Sequence, residues 1–330
     1  MNGTWYNMMQ AVRLSHPRLP SAIASIRRHA WHGLWKAAAA ACVAPVFILL
    51  SGCGRGTDSA RAGAHTVIAI SGSDTMVNVA QMWAEEYGRK KPSVKVEVSG
   101  GGSGVGIRDL MQGVVRVANS SRDLTQAERE QITARAGRAP IETVVGFDGI
   151  AIYVHKDNPL ESITMEQLER IFGEGGDITR WSQLGVDMGR LKAPDKIIRV
   201  SRQNSSGTYL YFRAHVLKNR DFKMGSCDMS GSKEAVELVA STRTAIGYSG
   251  MGYATKDVKM LRVGTRENPA GFAPSQANVT GKLYPLSRAL LMITAGAPDG
   301  ETRGYMDWTL TSDGQAIVAG AGYVPVSPVK

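Results

Sequence analysis

Three short loops in this sequence share one composition: Ser71-Gly72-Ser73-Asp74-Thr75, Gly100-Gly101-Gly102-Ser103-Gly104 and Ser205-Ser206-Gly207-Thr208. Each falls between a strand-like pattern and the start of a helical one. The first amides of a helix lack carbonyl partners, and the macrodipole adds partial positive charge there. Ser and Thr contribute hydroxyl donors, and Gly lets the backbone approach a ligand. One such loop alone reads equally well as an N-cap and a turn. Three together point to an oxyanion held by several helix starts, a solution suited to phosphate or sulfate. Arg202 lies four residues before Ser206, and Arg122 follows Asn119-Ser120-Ser121. Either guanidinium could grip an oxyanion with a bidentate fork, or could form a structural ion pair. Asp148, in Phe147-Asp148-Gly149, is the notable carboxylate. An acid beside an anion suits only a ligand that carries its own proton, so it would favour hydrogen phosphate over sulfate. Its plainer reading is a turn-forming Asp before Gly.

Other chemistries lack their spacing. Gly100–Gly106 does not form a dinucleotide-binding glycine loop, and no G-x-x-x-x-G-K-[ST] or G-x-S-x-G occurs. His65, His155 and His215 are scattered, without an H-E-x-x-H or a Cys–His cluster. No metal, no cofactor and no catalysis are therefore expected. The enzyme alternative is a phosphatase or phosphotransferase with Ser206 or Thr75 as nucleophile, and it lacks a spaced base. A third reading is a signalling or adhesive lipoprotein of the same fold without a ligand.

The elements that must position these loops alternate between strand and helix. Thr66–Ile70 and the alternating Val94–Val98 read as strands, each running into one of the loops and then a helix. Thr125-x-x-Glu128 and Thr164-x-x-Gln167 are capping boxes, with stops at Gly137 and Gly173. Val144-Val145 and Ile150–Val154 read as two strands flanking a turn at 146–149. Ile197–Val200 leads into the third loop and a helix, Ser232 reads as a cap, and Ala245–Tyr248 as a short strand. Leu286–Thr294 reads as a long apolar strand, and Ser312-x-x-Gln315 as the cap of a last helix. This repetition predicts α/β lobes with mainly parallel sheets.

The formal net charge is +10, from 39 Lys+Arg against 29 Asp+Glu. Residues 1–52 hold Arg13, Arg18, Arg27, Arg28 and Lys36 and no acid; without them the balance is 34 against 29, or +5. The rest shows no basic run and no interleaved aromatic stripe, so no nucleic-acid partner is expected. Arg27, Arg28 and Lys36 precede an uncharged apolar run, Ala37–Leu50, that is short of the roughly 20 residues of a membrane span. Leu50-Ser51-Gly52-Cys53 then resembles a bacterial lipobox. Residues 1–52 are accordingly expected as a lipoprotein signal, Cys53 as the lipid-bearing membrane anchor, and 53–65 as a flexible tether. Cys42 would leave with the signal, so Cys227 would be the one free thiol.

Taken together, GSDTM (72–76), SGGGSGVGI (99–107), VANSSR (117–122), FDGIAIYVHKDNP (147–159), SRQNSSGTY (201–209), AIGYSGMGYA (245–254), YPLSRALLMIT (284–294) and GYVPV (322–326) resemble the phosphate-binding proteins of bacterial ABC phosphate transporters. The match follows the family's order through nearly all of 66–326. The resemblance implies a periplasmic-binding-protein fold of type II, with phosphate enclosed between two α/β lobes. Lobe 1 would comprise 66–147 plus 255–330, and lobe 2 would comprise 148–254. It further implies phosphate contacts from Thr75 and the Met76 amide, with Ser73 in the same loop. Ser103 would contribute from the glycine loop, and Arg202, Ser206, Gly207 and Thr208 from the second lobe. Some members carry an acid where this chain has Ser120-Ser121-Arg122. That acceptor role is inferred to pass to Asp148, with Ser121 and Arg122 as further candidates. Asn204 replaces an Asp that in some members pairs with the ligand arginine. The implied partners are inorganic phosphate, an ABC permease and the membrane, with the protein exported and facing the periplasm or cell exterior.

Overall fold

A computed structural model describes residues 65–327. The expected signal, Cys53 and the tether up to Ala64 lie outside the described residues. β1 (Thr66–Gly72) runs through the first polar loop into α1 (Val77–Lys90), and β2 (Val94–Gly101) through the glycine loop into α2 (Ser103–Met111). β3 (Val117–Ser120), α3 (Gln126–Ala136), the long β4 (Ile141–His155), β5 (Ser162–Thr164) and α4 (Met165–Phe172) follow. β6 (Ile198–Arg202) then enters the third loop and α5 (Gly207–His215). The described chain finishes with β7 (Cys227–Met229), α6 (Ser232–Ser241), β8 (Ala245–Gly250), β9 (Val258–Gly264), α7 (Gln276–Thr280), β10 (Ser287–Thr294), α8 (Gly300–Thr309) and α9 (Ser312–Gly320).

Local chemistry explains most helix ends. Both capping boxes form with both reciprocal bonds, at Thr125/Glu128 and Thr164/Gln167. Gly137 ends α3 in the left-handed region at φ 66°. Two expected caps shift by one residue. Thr311, not Ser312, caps α9, and Gly231 precedes α6, leaving Ser232 as its first residue. Gln315 is fully buried; its amide donates to the carbonyls of Val145 and Thr309 instead of closing a capping box.

The strands make one mixed sheet in the order β2-β1-β3-β10-β4-β8-β6-β7, with β9 pairing both β4 and β5. The expectation of mainly parallel sheets holds only toward the two ends. β10 is antiparallel to β3 and β4, and β4 is antiparallel to β8 and β9. No single helical crossover joins β4 to β10 or to β8, so nothing imposes the parallel arrangement there. The turn expected at 146–149 is also absent. β4 continues through it, because Phe147, Asp148 and Gly149 pair with Ala289, Arg288 and Ser287 of β10. A bulge at Val145 absorbs the register shift, and Gln315 satisfies its carbonyl.

β4 changes neighbours along its length. Residues up to Gly149 pair with β10, and Ile150 onward with β8. The buried side chains divide accordingly. Ile68, Ile70, Val117, Leu290 and Met292 pack under α1, α8 and α9, and Ala118, Leu291 and Ile293 under α2 and α3. A larger core surrounds Ile150–Val154, β6 and β8 beneath α4, α5 and α6. β9, expected with the first group as part of 255–330, instead adds Leu261 and Val263 to this larger core.

α2 lies close against β1 because Gly106 has no side chain: a Cβ there would stand 2.5 Å from the Ser71 carbonyl oxygen and 2.6 Å from the Gly72 Cα. Gly106→Ala should therefore destabilise the protein by about 1–3 kcal/mol, read from denaturant unfolding. An unchanged midpoint would show that α2 and β1 separate without cost.

Candidate oxyanion site

The site lies where β4 leaves β10 for β8, between the two groups of core residues. Asp148 and Arg288 are direct partners across that strand pair. Arg288 Nε and Nη2 donate to Asp148 Oδ2 at 3.0 and 2.8 Å, and the side chains are 2% and 0% exposed. Asp148 Oδ1 accepts the Met251 amide at 3.1 Å. Burial pushes the Asp148 carboxyl up, and the guanidinium beside it pulls the other way. Arg288 spends its other donors on the site. Nη2 reaches Thr75 Oγ1 at 3.0 Å and Thr208 Oγ1 at 2.9 Å, and Nη1 reaches the Ser121 carbonyl at 3.2 Å. The Tyr211 ring of α5 lies 5.9 Å from the guanidinium carbon, and its hydroxyl donates to the Ser287 carbonyl.

Two hydroxyl groupings surround this pair. Thr75 Oγ1 and Thr208 Oγ1 are 3.0 Å apart. Ser73 Oγ donates to Ser121 Oγ at 2.9 Å, and Ser103 Oγ accepts the Ser121 amide at 3.1 Å. Gly207 lets α5 sit on these serines: a Cβ there would be 2.3 Å from Ser103 Oγ and 2.7 Å from Ser121 Oγ. Ser103 and Gly207 are the first residues of α2 and α5, so their amides precede the helical hydrogen-bond ladder. The first loop is braced from outside: Tyr323 donates to the Thr75 carbonyl at 2.5 Å and Tyr253 to the Asp74 carbonyl at 2.6 Å. The arrangement can present several neutral O–H and N–H donors and one guanidinium to a small tetrahedral anion.

Ser73, Thr75, Ser103, Ser121, Asp148, Gly207 and Thr208 are thus brought together. Four expected residues are engaged otherwise. The Met76 amide donates to the Ser73 carbonyl, and its side chain is in the core. Ser206 Oγ accepts the amides of Thr208 and Tyr209 as the N-cap of α5. Arg202 is fully buried at the edge of the site, and its donors go to Asp74, Ser230, Ser232 and Met229. Asp74 therefore supplies the carboxylate partner that Asn204 cannot. Arg122 departs furthest from expectation. It makes a two-pronged pair with Glu128 at 2.8 and 2.7 Å and donates to the Asp123 carbonyl, so it serves the start of α3. Arg288 was missed. Its signal was available: a lone charge inside the apolar run Leu286–Thr294 must find a partner if the strand is buried.

A family model described as a PBP superfamily domain matches residues 59–313. The phosphate-binding protein PstS of Pseudomonas aeruginosa is 34% identical over 269 residues, 78% of this chain and 82% of that protein. PstS of Bacillus subtilis is 29% identical over 299 residues, covering 87% and 93%. Among solved structures, a substrate-binding protein from Clostridium perfringens, assigned to phosphate ABC transport and carrying bound phosphate, aligns with a TM-score of 0.70 at 30% identity. The alignment covers 79% of this chain and 100% of that one. An ABC-type phosphate transport receptor from Vibrio cholerae aligns at 0.61 and 27% identity, over 79% and 100%.

The Arg122–Glu128 pair yields a pH prediction. Burial raises the Glu128 carboxyl, but the Arg122 fork and the Thr125 amide and hydroxyl outweigh it and hold it below its ordinary value. A depressed carboxylate stabilises the fold above its unfolded pKa and loses that contribution as pH falls through the folded one. Arg122→Ala should cost about 1 kcal/mol at neutral pH, with the deficit shrinking in acid below pH about 4. Oxyanion affinity, measured by calorimetry, should be unchanged; a clear loss would restore Arg122 to the site.

Proposed function

This chain belongs to the PBP superfamily, and we propose that it is one of its phosphate-capturing members, delivering inorganic phosphate to an ABC importer. The observation that carries this reading is the convergence of Thr75, Thr208, Ser121 and the buried Arg288–Asp148 pair. Phosphate would replace the hydroxyl–hydroxyl bonds, taking donors from Thr75, Ser103, Thr208 and Arg288 and from the leading amides of α2 and α5. Residues on the two core groups would form two lobes, with the ligand enclosed between them and β4 crossing from one to the other. The second lobe is better extended past 254 to about Leu286, given that Leu261, Val263, Val279, Tyr284 and Leu286 all pack in the larger core.

Asp148 supports selectivity for a protonated oxyanion. A carboxylate offers about four acceptor positions. Here Arg288 takes two on Oδ2 and the Met251 amide takes one on Oδ1. One position remains for the ligand's own proton, which sulfate lacks at neutral pH. The proposal extends to location. The basic, apolar and small-residue order through Cys53 supports cleavage after Gly52, lipidation of Cys53 and display outside the cytoplasmic membrane.

Calorimetry of the purified protein with phosphate and with sulfate tests the reading. Heat with phosphate and none with sulfate is expected; no heat with millimolar phosphate would overturn it. Arg288→Lys keeps the charge beside Asp148 but loses the fork, and phosphate affinity should fall about tenfold to a hundredfold. Asp148→Asn should let sulfate compete for the site. If sulfate is still rejected, selectivity resides in other groups.

A further inference from the structure

The cleft rim is joined by direct contacts between protein groups, and one residue gathers most of them. Asp74, between β1 and α1, has Oδ2 2.9 Å from Arg202 Nη2 of β6. Its Oδ1 accepts the Gly101 amide at 2.8 Å, and its carbonyl accepts the Tyr253 hydroxyl. Beside it, the Gly104 amide of α2 donates to the Ser205 carbonyl at 3.0 Å. Gly102 comes so close that a Cβ there would be 2.5 Å from the same oxygen. The Arg202 and Asp74 side chains are 0% and 12% exposed.

The partners of Arg202 are divided unequally. Met229, Ser230 and Ser232 all come from the segment joining β7 to α6, which packs with β6. Asp74 alone comes from the opposite side of the cleft. Opening the cleft would therefore leave Arg202 seated with three partners and remove one. That is the behaviour of a separable latch, not of a contact needed to fold either side.

We infer that Asp74 is a positioning residue whose ion pair with Arg202 holds the cleft shut, so that part of the closing free energy comes from the protein itself and not from the captured anion. The inference rests on the reading of the cleft as a phosphate site. A contact that exists only in the closed state slows both entry and release, because it must break before the anion can pass in either direction.

Asp74→Asn separates the latch from the loop. The Asn Oδ1 still accepts the Gly101 amide, while an amide N–H replaces the carboxylate oxygen facing Arg202. In protein stripped of phosphate, hydrogen exchange at the Gly104 amide reads opening directly, since its bond to Ser205 crosses the rim. The variant should exchange this amide at least about tenfold faster than the parent, and should both take up and release phosphate about tenfold faster in stopped flow. Exchange and release equal to the parent's would overturn the latch and leave Asp74 as support for the glycine loop. If the parent binds no phosphate, the functional reading fails, but the exchange comparison still decides the latch.

Discussion

The buried pair between Asp148 and Arg288 constrains everything around it. Either charge alone in that position would cost several kcal/mol, so neither strand can be placed without the other. They sit directly opposite on β4 and β10, at the residue where β4 is about to exchange β10 for β8. A slip of one residue would turn Arg288 to the other face of the sheet and strand both charges. The pair thus fixes the register at the seam between the two cores. The same guanidinium then sets the distance between Thr75 and Thr208, which come from loops 133 residues apart.

Charge in the site is matched locally. Arg288 has Asp148 and Arg202 has Asp74, so two buried cations are each matched by a carboxylate within one region, Asp148 buried and Asp74 nearly so. An arriving anion meets paired charges and oriented neutral dipoles instead of bare positive charge. The net charge of the whole chain is therefore a poor guide to this chemistry. What matters is that Ser73, Thr75, Ser103, Ser121 and Thr208 are all buried with hydroxyls aimed at one another.

Features written in local chemistry were legible in the sequence. The capping boxes at Thr125 and Thr164, the glycine stop at Gly137 and the polar loops before α1, α2 and α5 depend on neighbours a few residues away. Features decided by distant pairing were not. Asp148 before Gly149 carries a turn signal, and only the ladder with β10, 140 residues later, holds it in a strand. Arg288 was hidden by the apolar residues around it. Arg202 was recognisable as a cation near the site, but its partner Asp74 is 128 residues earlier and looked like an ordinary loop residue. Arg122 misled in the opposite sense. It follows a serine pair near the site, while its partner Glu128 already had a capping role to explain it.

The brace on the first loop also has a consequence for synthesis. Thr75 is held by Tyr323, 248 residues further on, and Arg288 arrives only on the last strand. A ribosome must therefore finish nearly the whole polypeptide before any binding site exists. Contacts of such long sequence separation form slowly, because the loop closure they require comes before any reward. If the chain is exported as proposed, that delay is protective. It would keep cytosolic phosphate from stabilising a complete binding site before export.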